Sequence, residues 1–106
     1  MKILTFDIED WYNCDFISNN FNWNSYEVRI YEGVDRILQH LENENIKATF
    51  FCLGWIAQNH PDIIKRIHSH GHHIGCHSYQ HQLLYRLNRK EFIEDTLKAK
   101  TLLENL

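Results

Sequence analysis

Four of the chain's eight histidines fall in one stretch, GHHIGCHSYQH, from Gly71 to His81. His77 and His81 stand four apart, the spacing of one helical turn, and each imidazole offers a nitrogen to a divalent ion. The N-terminal stretch TFDIED, Thr5 to Asp10, supplies three carboxylates, Asp7, Glu9 and Asp10. A hydrolytic metal site needs about three nitrogen or oxygen ligands and an open position for water. Two histidines and one carboxylate meet that count. A further carboxylate would take the proton of a water whose pKa the ion brings down towards ~7 while it polarises the scissile carbonyl. The HxxxH spacing alone is weak support. In a zincin the first histidine is followed by a glutamate that acts as base, and here Ser78 stands in that place, which excludes the zincin reading.

For these groups to meet, the elements carrying them must end on one rim. Lys2–Phe6 is a short β-forming run that predicts a buried strand. Trp11–Trp23 is aromatic, Asn-rich and irregular, and predicts a loop. Ile30, Val34, Ile37, Leu38 and Leu41 follow helical spacing, and Asn45 suits the left-handed position that closes a helix. Lys47–Leu53 is a second strand, Gly54 a turn, and Pro61 the first residue of a helix that buries Ile63, Ile64 and Ile67 and stops at Gly71. Residues 73–76 form a third strand. Asn88, with Glu91 three later, opens a last helix whose face carries Phe92, Ile93, Thr96, Ala99, Leu103 and Leu106.

The order β-α-β-α-β-α is that of an α/β fold with parallel strands and crossover helices. In such a fold the chemistry gathers at the C-terminal ends of the strands. Asp7, Glu9 and Asp10 follow the first strand and His77 and His81 the third, so acids and histidines share a rim.

With 106 residues the chain holds one domain at most. Its 43% hydrophobic and 13% aromatic content can form a core, and a net charge of −3 without a basic run argues against nucleic acid as partner. The first apolar run, broken at Asp7, is too short for a signal peptide, and no stretch approaches the ~20 apolar residues of a membrane span. Cys14, Cys52 and Cys76 are odd in number and widely separated, as expected of reduced thiols in a cytoplasmic protein.

TFDIED, KATFF (Lys47–Phe51) and GHHIGCHSYQH, in this order, resemble the motifs of the polysaccharide deacetylases, carbohydrate esterase family 4 with its NodB homology domain. The wider pattern is similar to the cytoplasmic branch tied to surface-polysaccharide synthesis. The resemblance implies a distorted (β/α)7 TIM-like barrel that removes acetyl groups from N-acetylated sugars of a polysaccharide or its precursor. It implies Asp7 as catalytic base and His77 and His81 as ligands of a divalent metal, usually zinc, sometimes cobalt or nickel. The carboxylate ligand is Glu9 or Asp10. Strand alternation puts Asp7 and Glu9 on one side, which favours Glu9, and Asp10 serves if the strand ends early.

Such a barrel needs roughly 200 residues or more. Residues 1–106 are therefore expected to be the N-terminal portion of the domain. The family's later motifs, with a substrate arginine, an aspartate–tryptophan pair and a late histidine acid, have no candidate here. An incomplete barrel exposes a sheet edge, which invites self-association. Two alternatives stand beside the deacetylase: a catalytically inactive metal-binding half domain, and a metal-free amide hydrolase of the allantoinase-like branch.

The remaining candidates have plainer readings. His40, His60, His68 and His70 are expected on helix surfaces or ends, and His72 and His73 at a polar strand edge. Cys76 alternates away from His77 and is expected to be a core thiol. Trp11, Trp23 and Trp55 suit either a sugar groove or packing.

Overall fold

The computed structural model describes residues 1–14 and 21–106. Three strands, β1 (Thr5–Ile8), β2 (Thr49–Cys52) and β3 (His73–Cys76), form one parallel sheet in that order. The register aligns Thr5, Thr49 and His73 at one end and Ile8, Cys52 and Cys76 at the other. Side chains alternate across a sheet. Phe6, Ile8, Phe50 and Cys52 therefore share one face, where Phe6 and Phe50 stack at 5.2 Å and Ile8, Phe50 and Cys52 are buried. On the other face Thr5 and Asp7 are exposed. There the Phe51 ring lies over Gly75, where an added Cβ would come within 2.5 Å of it.

β1 begins later than Lys2–Phe6. Met1, Ile3 and Leu4 are exposed, and ladder partners on β2 start at Thr5. Asp7 consequently lies inside the strand, and only Glu9 and Asp10 follow it.

α1 (Ile30–Asn43) buries Ile30, Val34, Leu38 and Leu41. It closes as expected. Asn45 has φ +53°, its N–H donates to the Glu42 carbonyl and that of Ile46 to Leu41 at 2.9 Å, the paired bonds of a Schellman end. α3 (Pro61–Ser69) buries Ile63, Ile64 and Ile67 and ends at Gly71, φ +84°.

α2 (Gly54–Asn59) is an element without a sequence signal, because Gly54, Trp55, Ile56 and Ala57 are all buried and leave no amphipathic stripe. Gly54 opens this helix rather than a free turn. α4 (Arg89–Glu104) starts at Asn88, whose Oδ1 accepts from the Glu91 N–H at 2.8 Å while its Nδ2 donates to the Glu91 carboxylate. Its predicted apolar face is only partly used. Ala99 is buried, Leu102 and Leu103 pack at the core's edge, and Phe92, Ile93 and Leu106 remain exposed.

The predicted loop Trp11–Trp23 lies partly outside the described residues. Of its described part, Tyr12 and Trp23 are buried, Trp23 begins a single 3-10 turn, Trp23–Ser25, and its ring meets Trp55 edge-on at 5.1 Å. Trp23 and Trp55 thus belong to the core, while Trp11 is exposed and donates through Nε1 to the Glu27 carbonyl.

A Cβ at Gly54 would fall 2.8 Å from Ala99 Cα and Cβ and from the Tyr79 ring. Gly54→Ala is expected to cost ~1–3 kcal/mol by overpacking and to lower the melting temperature by at least about 4 °C. A thermal melt followed by circular dichroism checks this, and an unchanged midpoint would contradict the close packing of α2 on α4.

Candidate metal centre

Glu9 and His77 are each the first residue beyond the aligned row that ends the three strands. They belong to strands that do not touch, and both lie on the face away from the helices, by the same alternation that places Asp7 there. His81 follows through a tight turn in which Ser78 and His81 both take φ +58°. The Ser78 Oγ accepts from the His81 N–H at 3.0 Å. HxxxH is therefore not on a helix.

Glu9, His77 and His81 each offer one ligand atom, all within 4.8 Å of one another. His81 Nε2 lies 3.2 Å and His77 Nε2 3.9 Å from Glu9 Oε2. Asp7 Oδ2 lies 3.9 Å from His77 Nε2. The two imidazoles stand nearly perpendicular, 82°, with centroids 5.0 Å apart. Glu9, His77 and His81 are half-buried, whereas the Asp7 side chain is 56% exposed. Burial raises the Glu9 pKa above the ordinary carboxylate range, and the neighbouring Asp7 adds to the rise, against the opposing pull of His81 and His77.

Glu9 Oε2 and His77 Nε2 are buried atoms with no hydrogen-bond partner. Unpaired buried polar atoms are costly, and lone pairs converging from one carboxylate and two imidazoles are a donor set that a divalent first-row ion satisfies. The residues present therefore fit such an ion, with the exposed Asp7 carboxylate beside it.

The structure does not bring Asp10 to this cluster. Asp10 is buried, and its carboxylate accepts from the N–H groups of Trp11 at 2.8 Å, Arg29 at 2.8 Å and Ile30 at 3.1 Å. It thereby supplies α1 with the acceptor that its own N-cap residue, Arg29, lacks. Two further expectations are corrected. Cys76 points away from His77 but is exposed rather than a core thiol, since β3 is the last strand of the sheet. His72 is buried, not a polar edge, and its Nδ1 accepts from the Ala48 N–H at 3.1 Å. His60 and His70 flank α3 as its end residues. Ser78 is the residue that sequence reasoning passed over. Its only signal was a hydroxyl side chain able to form a local turn.

Residues 3–106 match the family description "Polysaccharide deacetylase". The chain belongs to this family. It is 41% identical over 75 residues to a Bacillus cereus peptidoglycan-N-acetylglucosamine deacetylase, an alignment covering 71% of this chain and 27% of that protein. Among solved structures it is similar to the Bc1960 peptidoglycan N-acetylglucosamine deacetylase, with TM-score 0.74 and 33% identity over 97% of this chain and 39% of that one. It is equally similar in shape, TM-score 0.74 at 25% identity, to a family pseudoenzyme from Bacillus anthracis, covering 97% of this chain and 30% of that one. The chain thus spans well under half the length of these relatives. Its parallel strand–helix units superpose on part of their barrel, so the α/β fold class and the family hold as expected.

Asp10→Ala removes an acceptor shared by three N–H groups. It is expected to destabilise the chain by ~1–2 kcal/mol, the scale of a lost helix cap, whereas Glu9→Ala melts no lower than the parent in the presence of EDTA. If Asp10→Ala melts with the parent, the capping role assigned to Asp10 is wrong.

Proposed function

We propose that the chain is the N-terminal portion of a NodB-type domain and carries the metal site and the base of a polysaccharide N-deacetylase. The observation that carries this reading is the convergence of Glu9, His77 and His81 with unpartnered buried atoms facing one another. In this reading Glu9 Oε2 and the Nε2 atoms of His77 and His81 hold a divalent ion, zinc by preference. When bound, the ion supplies a Lewis acid that polarises the acetamide carbonyl and acidifies a nearby water. Asp7 does the proton work. Its exposed carboxylate stands next to the cluster without belonging to it, and takes the proton of the attacking water at Oδ2. Glu9, sunk deeper beside the histidines, serves as a ligand and not as the base.

The substrate class is an N-acetylated glycan. The relatives named above are described as acting on the N-acetylglucosamine of peptidoglycan, and we extend only the N-acetyl sugar to this chain. We also propose a reducing, cytoplasmic compartment, where a polysaccharide precursor would be met. In support, the cysteines Cys14, Cys52 and Cys76 are odd in number and widely separated in sequence, with no disulfide framework to read.

A second reading, a metal-holding domain without turnover, is favoured by the resemblance to a pseudoenzyme.

Both readings expect one zinc or cobalt per chain, lost in His77→Ala and in His81→Ala, by metal analysis after dialysis. Retention of the metal by both variants would refute the ligand set. Acetate release from N-acetylglucosamine oligomers then separates the two. We expect little release from the isolated 106 residues, and release well above a His77→Ala control would dismiss the inactive reading.

A further inference from the structure

The turn that carries His81 has one bond of its own, from the His81 N–H to Ser78 Oγ, and is otherwise held from outside. Ser78 and His81 both adopt left-handed backbone, φ +58°, which non-glycine residues keep only where their surroundings over-determine it. Three contacts from two helices do so. The Ser78 carbonyl accepts from the Gly54 N–H at 2.8 Å and the Tyr79 carbonyl from the Trp55 N–H at 3.0 Å, both at the start of α2. The Tyr79 N–H donates to Asp95 Oδ2 at 3.0 Å, in the middle of α4. The Tyr79 side chain is buried between the two helices, its hydroxyl on Gln58 and its ring under Lys98 Nζ at 3.7 Å.

We propose that Asp95 is a positioning residue for the metal ligands, acting through Tyr79. Among the described residues that fix the turn from outside it, Asp95 is the one charged side chain that bonds its backbone. It sits between the two histidines in the chain of contacts: fixing Tyr79 N–H fixes the peptide two residues beyond His77 and two before His81. Released from Asp95, Tyr79 would leave a half-buried N–H unpaired, and the turn would relax towards ordinary backbone, carrying the His81 ring away from Glu9. Asp95 acts on the turn through the Tyr79 N–H and not through a ligand ring. The consequence for metal binding rests on the reading proposed above; the geometry does not.

The test uses the full 106-residue chain and three variants. Asp95→Ala removes the acceptor while improving the helix propensity of α4. Asp95→Asn keeps an oxygen that can accept. Ile64→Ala softens the core from α3, on the far side of β3's turn. In EDTA, the NOE between the His77 and His81 ring protons should be present in the parent, in Asp95→Asn and in Ile64→Ala, and lost in Asp95→Ala. With Co²⁺, Asp95→Ala should bind about 10–100-fold more weakly, the scale of lost support around a ligand, and with an altered visible spectrum. Asp95→Asn should stay near the parent. Should Asp95→Ala not fold, Asp95→Ser carries the same comparison. An unchanged NOE and Co²⁺ affinity in Asp95→Ala would overturn the proposal and leave the metal reading standing. Equal losses in Ile64→Ala would overturn it as general softening. A parent that binds no Co²⁺ would instead remove the metal reading, with the NOE still deciding the role of Asp95.

Discussion

Everything at the rim depends on β1, β2 and β3 running parallel and ending in step. Glu9 and His77 stand on the two outer strands, with β2 between them, so their backbones are about 9–10 Å apart by sheet spacing. Their side chains still close to 3.9 Å between Oε2 and Nε2. That is achieved by the aligned row Ile8–Cys52–Cys76, beyond which β2 passes through the buried Leu53 into α2. A slip of one residue in β3 would turn His77 towards the helices, and no adjustment of rotamers would bring it back.

Two neighbouring acids meet opposite fates on this rim. Asp10 gives its charge to three backbone N–H groups and stabilises α1. Glu9, one residue earlier and facing the other way, is half-buried beside Asp7 with an oxygen that finds no donor. The rise in its pKa comes first from burial, and His81 and His77 oppose it only in part. A cation between Glu9, His77 and His81 would offset the cost of this burial and would give the two imidazoles a common target. The fold therefore spends one carboxylate on structure and leaves the adjacent one unsatisfied, which is the pattern expected where local consistency is given up for function.

Punctuation in the sequence was legible. Asn45, Pro61, Gly71 and Asn88 each do what their backbone preferences dictate, because a cap or a left-handed residue is a local property. Parallel order and the shared rim were legible for the same reason, through alternation of short apolar runs with helical spacing. The misses are tertiary. β1 starts at Thr5 because β2 does, and nothing in KILTF reports the length of its partner. α2 is short and buries its first four residues in a row, so no periodicity marks it. Phe92 and Ile93 on α4 have the spacing of a core face, yet no described element covers them. Cys76 reads as core by alternation and is exposed because its strand has a neighbour on one side only.

The pair of histidines shows the limit of spacing most plainly. Four residues apart suggests a helical turn, in which both side chains would project from one face in similar directions. Helical pairs of that kind do chelate one ion, but here the two rings meet Glu9 across a sheet rim by a different arrangement, at a steep angle to each other. A turn with two left-handed residues gives it, setting the imidazoles at 82° with centroids 5.0 Å apart. Such a turn is strained in isolation and so must be braced from outside. The bracing comes from elements distant in sequence, Gly54 and Trp55 on one side and Asp95 on the other. The ligand geometry is thus a property of the packing of α2 against α4 as much as of the motif itself. An HxxxH motif transplanted without that packing would keep the nitrogens and lose their convergence.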